Sequence, residues 1–523
     1  MLRRPESWWS RCLWATCRVL AAAWLTLAAP AQANASPVAE TAVARWLHQG
    51  AERLLVEDPI GALLAYRLAV RGAGDTVTAG EVGLGRAHLL RGDAMLALAY
   101  AESALRRDSL EQDGMALAVR ALIRARSFDA AVDRASSFVA RCGEAGAELL
   151  AARGSALFRV QRIEEAAAAY QRVVLADPRH AEAHLRLGSG LLAPREIELC
   201  LDMHLAVRAF VAGEREHGID LLLGVLQKDP THSIAHRLLG EALFNTRADR
   251  SMASTDAMFQ SLHAAMPPPD VRGLPAAAFV AGYDELPPAR RRVVDRTLAL
   301  FGRHLPRLVA IGGRHDLLRE LERTTDDAAR ANLRGRRTFD GRVWDDVRGV
   351  GGVRAATGIE ALDEAAALGF DTFAHEVAHQ VHFFALSREQ GERIRTLYQR
   401  ALAEGRCLDF YAASNHAEYF AQGVEAFVSF GKRPGGETTH GHTRFELYAV
   451  DPELHDFIAT VVDYDPLLMP AWRQRLLAAA VGVALRCGRT ADARVAASWL
   501  SPGETRQSLL AEVAAATIAL ESH

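Results

Sequence analysis

The stretch "DTFAHEVAHQVHFF", residues 371–384, sets His375 and His379 four apart, with Glu376 directly after the first histidine. On a helix, positions i and i+4 share a face, so the two imidazoles could grip one metal ion while Glu376 leans toward a metal-bound water. An amphipathic helix that merely carries polar residues would read the same. Catalytic zinc takes three protein ligands and leaves a position for water, so the chemistry asks for a further His, Glu or Asp on a second element. The segment "LDFYAASNHAEYFAQGVEAFVSF", residues 408–430, offers candidates. There Asn415 is a suitable N-cap, Phe420, Val424 and Phe427 make an apolar stripe, and Glu418, Gln422 and Glu425 line a polar one. The motif segment divides in the same way, Phe373, Val377, Val381 and Phe384 facing a core and the two histidines another side. Two such helices packed on their apolar stripes would converge on one ion, and a carboxylate beside an activated water can pass its proton to a leaving amine.

At these residues the chain resembles the gluzincins, zinc peptidases whose third ligand is a glutamate on a downstream helix, and within them the group that includes anthrax lethal factor. That group follows His-Glu-x-x-His with Tyr-x-x-x-Asn-x-x-Glu-[Phe/Tyr]-Phe-Ala; Tyr411, Asn415, Glu418, Tyr419, Phe420 and Ala421 fall at those spacings. The match covers about 120 residues, from "WDDVRGVGG" to "DPELHDFI", and leaves out the rest of the chain. The resemblance implies that His375, His379 and Glu418 bind one zinc ion, that Glu376 is the general base, and that Tyr411 donates its hydroxyl to the tetrahedral intermediate. One departure is Gln422, which stands where the family has a second acidic residue; Glu425 is either its replacement or a solvated helix residue.

Other histidines fit less well. His382 lies seven helical residues from His375, about 10.5 Å along the axis, too far to share an ion; it reads as an outer partner or solvent-facing. His416 reads as exposed, and His440 and His442 in "THGHTR" as surface residues of a glycine-rich loop. Gly349, Gly351 and Gly352 predict a tight turn or an exposed strand edge ahead of the motif, where strand addition would hold an extended substrate. "PPARRR" and "RGRR" read as solvated basic surface.

These elements sit among repeats. From about residue 45 a 34-residue period places small or apolar residues at offsets 5, 9, 12 and 13 from Glu57, Gly92, Arg126 and Gln161, with a fifth copy from Gly213 after an irregular insert of about 18 residues. The fourth and fifth copies end alike, in "VVLADPRHAEAHLRLG" and "GVLQKDPTHSIAHRLLG". The pattern resembles the tetratricopeptide repeat, helical hairpins that stack into a superhelix whose groove takes peptides or partner proteins; a scaffold that only positions its neighbour is the plainer reading. "MPPPD", residues 266–270, ends the array, "RLVAIGG" and "RTFDGRVW" predict short strands, and the register returns from Gly488.

The chain has 523 residues, half of them hydrophobic, and a net charge of −3. All but Lys228 and Lys432 of its 61 basic residues are arginine, a bias that reads as coding composition, and nucleic-acid binding is not expected. Arginines ahead of "VLAAAWLTLAA" and the small residues "AQA" predict a signal peptide over 1–33, hence a periplasmic or secreted protein with no retained membrane span. Cys142, Cys200, Cys407 and Cys487 form no CxxC and suit buried free thiols at least as well as a disulfide.

The expected architecture is mainly α: a tetratricopeptide-repeat solenoid over 45–262, an α+β zincin-like catalytic domain over 270–466, and repeat-like helices over 467–523. The expected function is an exported zinc metallopeptidase acting on a peptide or protein substrate, with a further protein partner in the repeat groove. The alternatives are a repeat adaptor with an idle or structural zinc domain, and a zinc hydrolase of non-protein amides.

Overall fold

The computed structural model describes residues 42–72, 77–363, 371–432 and 441–521, without the side chains of 77, 246–259 and 261. The export signal, with Cys12 and Cys17, and His440 lie outside the described residues. The described chain is mainly helical. Antiparallel hairpins come first, pairing Ala42–Leu55 with Pro59–Gly72, Val77–Arg91 with Ala94–Arg107, Gln112–Arg124 with Phe128–Cys142, and Ala147–Arg159 with Ile163–Ala176. The small residues of the 34-residue register, among them Ala62, Ala97, Ala101, Ala131, Ala135 and Ala166, are fully buried between these helices.

The six starting residues of that register all occupy the turn between paired helices with a left-handed backbone: φ is 53° at Glu57, 94° at Gly92, 61° at Arg126, 61° at Gln161, 82° at Gly213 and 69° at Gly488. Glycine adopts this conformation freely, whereas an L side chain there costs about 1–2 kcal/mol. Arg126 and Gln161 use the position to reach across the molecule. An amino group of Arg126 donates to the carbonyls of Cys407 and Leu408, both at 2.8 Å, and the Gln161 amide donates to the Phe339 carbonyl at 3.1 Å. The inner ends of the third and fourth hairpins therefore hold the chain's own later segments.

The fourth copy ends in the helix Ala181–Arg186, kinked through Leu187–Leu191, and the irregular insert before Gly213 is an extended run to Cys200 and the helix Leu201–Ala212. At the kink Gly190 has φ 96°, and its carbonyl accepts the Val343 N–H at 2.8 Å. A Cβ on Gly190 would sit 2.8 Å from the Val343 backbone, so only glycine allows this approach. The hairpin Leu201–Ala212 with Arg215–Lys228 and the long helix Ser233–Ala265 complete this half, which ends where "MPPPD" begins.

Beyond it a small sheet forms in the order β1-β3-β2, with Arg314–Leu318 (β1) parallel to Arg354–Gly358 (β3) and Gly349–Val350 (β2) antiparallel to β3. The glycines of "RGVGG" thus form an edge strand and, at Gly352 with φ 115°, a turn. "RLVAIGG" corrects one expectation: it is the helix Leu305–Ala310, because Pro306 sits at the first helical positions where its missing N–H costs nothing, and the strand starts only at Arg314. "RTFDGRVW" is a tight turn closed by the Thr338 N–H to the Arg342 carbonyl at 2.8 Å, with one bridge between Arg337 and Val343. The sheet packs against Thr372–Phe384, the motif helix, which packs in turn on His416–Val428, the partner helix; the apolar faces of the two helices share a core with Phe279, Phe301, Ile394, Leu454 and Ile458.

The last helices, Pro470–Arg486, Thr490–Ser498 and Glu504–Glu521, return to the beginning. Arg67 donates to the Leu520 carbonyl at 3.2 Å and Arg91 to that of Gly488 at 3.4 Å, so the repeats close on themselves around the sheet and its two helices. "PPARRR" is only partly solvated: Arg290 is buried and paired with Asp363 at 2.6 Å, since it lies on the inner side of the helix Pro288–Leu300. Cys142, Cys200, Cys407 and Cys487 are all free, the first half-buried, the second exposed and the last two buried. No described helix is long and apolar enough to cross a membrane.

Candidate metal centre

Asp371 caps the motif helix by accepting the Ala374 N–H at 2.8 Å, and Phe373, Val377 and Val381 bury its inner face. Gln380 fixes the helix to the sheet: its amide donates to the Arg314 and Val353 carbonyls, both at 3.2 Å, and its oxygen lies 3.1 Å from Nδ1 of the buried His315. On the partner helix the Asn415 side chain accepts the N–H groups of Ala417 and Glu418 at 2.9 and 3.0 Å, which sets Glu418 in the first turn beside the positive end of the helix dipole.

Packed on Phe420, Val424 and Phe427, the two helices bring three donor atoms together. His375 Nε2 is 3.1 Å from Glu418 Oε2 and 3.2 Å from His379 Nε2, and His379 Nε2 is 3.4 Å from the same carboxylate oxygen. A tetrahedral zinc ion with bonds of about 2.0–2.1 Å separates its ligand atoms by about 3.3 Å, so this near-equilateral triangle fits one face of such a site. Among the described residues these are the one group of three or more His, Cys, Asp or Glu able to hold a metal ion. Burial opposes charge on His375, but Glu418 and Glu425 outweigh it and raise its pKa well above the usual value. The Glu418 carboxyl is held far below its ordinary range despite burial, through both histidines.

The remaining positions fall around the triangle. Glu376 is buried, which raises its pKa against the pull of His375 and His379. The edge strand presses on it: a Cβ on Gly349 would lie 2.5 Å from Glu376 Oε1, and one on Gly351 would lie 3.0 Å from His379 Cβ. These close approaches explain both glycines. Glu425 is 1% exposed, with Oε2 3.4 Å from His375 Nδ1, so it faces the back of a candidate ligand and is not a solvated residue. Gln422 is buried on the same helix.

Tyr411 lies half-buried in the turn before the partner helix, its ring 6.5 Å from that of His375; burial first, and then Glu418, raise its pKa well above the phenol value. That turn is clamped by Asp409, which accepts the Ala412 N–H at 2.7 Å and meets His442 Nε2 at 3.2 Å. His442 is therefore mostly buried, against the surface position expected for it, because it joins Asp409 to Glu446 across two segments distant in sequence. His382 is also buried and not solvent-facing, packed 4.6 Å from Phe383 and 5.4 Å from Phe420, and burial pushes its pKa down to about 3. It touches none of the three donors, and His416, half-buried, packs on it at 5.5 Å. Sequence reasoning missed Arg342 and Phe339, whose turn sets Phe339 against Tyr411, the rings tilted at 48° with centroids 5.2 Å apart.

No family model matches the chain. No curated protein matches it either. Fifteen solved chains do, among them a tetratricopeptide repeat protein from Parabacteroides merdae, at 13% identity over 49% of this chain and 84% of that one, with a TM-score of 0.24. So slight a superposition carries no argument about the metal centre, and the chain's likeness to known proteins stands at a mainly helical fold with a distant repeat-protein neighbour.

Proposed function

We propose that the protein is an exported, zinc-dependent metallopeptidase of the gluzincin kind, its zincin-like catalytic segment enclosed by helical repeats, and that it hydrolyses peptide bonds. The observation that carries this reading is the triangle of His375, His379 and Glu418 with Glu376 buried beside it. Zinc held there would lower the pKa of a water to about 7 and polarise the scissile carbonyl. His375, His379 and Glu418 would hold it. Glu425 faces Nδ1 of His375 and keeps the other nitrogen turned to the donor triangle, a role that replaces the acidic residue missing at Gln422.

Glu376 takes the proton from water and delivers it to the departing amine; burial has already moved its pKa upward, toward the range in which a base both accepts and returns a proton near neutrality. Tyr411, kept neutral by burial and by Glu418, donates its hydroxyl to the oxygen on which charge develops. The open edge of Gly349–Val350 pairs with the backbone of an extended substrate, which leaves side-chain pockets to set specificity.

The test is metal content and cleavage on purified full-length protein. Wild type is expected to hold one zinc per chain and to cleave components of an extracellular protein mixture. Glu376→Gln is expected to keep the metal and lose at least about a hundredfold in rate. Equal cleavage by that variant would sink the mechanism.

A further inference from the structure

Arg342 stands beside the donor triangle, close enough to act electrostatically on Glu376 and Tyr411, and Arg186 and Arg159 gather on the aromatic rings next to it. The turn Thr338–Arg342 sets Phe339 on Tyr411 and carries Arg342, whose Nε donates to Asp340 at 2.8 Å. Among the described residues its two amino groups have no hydrogen-bond partner, so the outer edge of that guanidinium is open, and the side chain is 22% exposed. Gly190, in the kink that follows Arg186, packs directly on the same turn; a Cβ there would touch the Arg342 stem at 3.2 Å. Arg186 stands over Phe158 at 5.5 Å and has no ion-pair partner among the described residues. Arg159 lies over the same ring at 5.4 Å and over Phe410, the neighbour of Tyr411, at 4.5 Å.

The nearby acids are already committed. Asp340 takes the inner edge of Arg342, Asp409 binds Ala412 and His442, and Glu182 binds Arg120 and Tyr170. Mutual repulsion is visible in Arg159, which burial first, and then Arg186 and Arg342, push down to about 9. A guanidinium with a free edge offers two parallel N–H groups that match a carboxylate, and Phe339, Phe410 and Tyr411 supply apolar walls for the stem of an acidic side chain.

We propose that Arg342 and Arg186, with Arg159 behind them, form a subsite for a carboxylate of the substrate, so that acidic peptides are the class this centre takes. The inference rests on the peptidase reading for its functional meaning, but its test does not require turnover. Two fluorescein-labelled decapeptides, identical except for glutamate against glutamine at three positions, are titrated into full-length Glu376→Gln protein. The glutamate peptide is expected to bind at least about tenfold tighter, with the ratio falling as salt rises. Arg342→Gln and Arg186→Gln are each expected to cut that ratio severalfold, and Arg186→Lys to restore part of it. Arg186→Gln breaks no described hydrogen bond, so it keeps the test valid if loss of the Asp340 pair unfolds Arg342→Gln.

Equal affinity for the two peptides, or a ratio unchanged in Arg186→Gln, overturns the subsite. Hydrolysis of both peptides by the wild type is read separately. Charge-selective binding without hydrolysis supports the subsite and counts against the peptidase, and hydrolysis without charge preference does the reverse.

Discussion

Among the described residues, two places bring a pair of histidine nitrogens within about 3 Å of each other, in opposite surroundings. In the candidate metal centre His375 and His379 meet through Nε2 at 3.2 Å; in the repeats His184 and His236 meet through Nδ1 at 2.8 Å. The second pair comes from the matching stretches "DPRHAEAH" and "DPTHSIAH", stacked one on the other, and the far nitrogens face the Pro178 and Pro230 carbonyls at 3.0 and 2.9 Å. Among the described residues no carboxylate forms an ion pair with either ring, and burial pushes their pKa values down to about 3 and about 4, outweighing the pull of Asp229 on His236. At the metal centre Glu418 and Glu425 reverse that direction for His375. Two histidines at close quarters are therefore not by themselves a candidate metal site; the third donor and the carboxylate behind His375 set this group apart.

The comparison breaks most decisively at the third donor. Glu418→Ala leaves two nitrogens, as in the repeats, and zinc in the purified protein is expected to fall from one per chain to below about a tenth. His236→Asn is expected to leave it at one. Elemental analysis of the two variants side by side measures the contrast, and zinc retained in Glu418→Ala would mean that this glutamate is no ligand.

Next comes the clearance beside the base. A methyl added at Gly349 meets Glu376 Oε1 at 2.5 Å, so Gly349→Ala must displace either the edge strand or the carboxylate. Peptide cleavage is expected to fall about a hundredfold with zinc content unchanged. A smaller effect is expected of Glu425→Gln, which keeps all three donors but weakens the hold on His375 Nδ1. Zinc affinity, followed by competition with a chromogenic chelator, should drop about 10- to 100-fold. Gln422→Ala should change affinity far less.

What was legible in the sequence follows the range of the forces involved. The donor triangle rests on helical spacing and two local caps, so His375, His379 and Glu418 could be placed together from their neighbours. The repeat register was legible because each hairpin turn needs one left-handed residue, and all six register starts fall there. Distances across packed elements were not. Whether Glu425 reaches His375, whether Gly349 touches Glu376, and whether His442 is buried depend on how helices and strands approach one another. Arg126 and Gln161 mark the same limit. Their type suited a surface turn, yet each holds a loop beside the candidate site, which is why a strained side chain stands where glycine would fit.

The smallest expected effect is the acid response of the repeat pair. Its two Nδ1 atoms hold at most one proton between them, because a second would set two N–H groups head-on, and burial works against even the first. An unfolded chain protonates both rings as the pH falls below about 6.5. Between that value and about 4 the unfolded state then binds more protons than the folded one, so this contribution to stability is intact above about 6.5 and is lost on acidification. Thermal unfolding of wild type should therefore shift to lower temperature by a few degrees more than that of His184→Gln/His236→Gln as the pH drops from about 7 to about 4.5. Matching acid shifts in the two proteins would show that the pair titrates freely. Run on the Glu418→Ala background, the same comparison should give the same difference, because the pair in the repeats answers to its own burial and not to the metal centre.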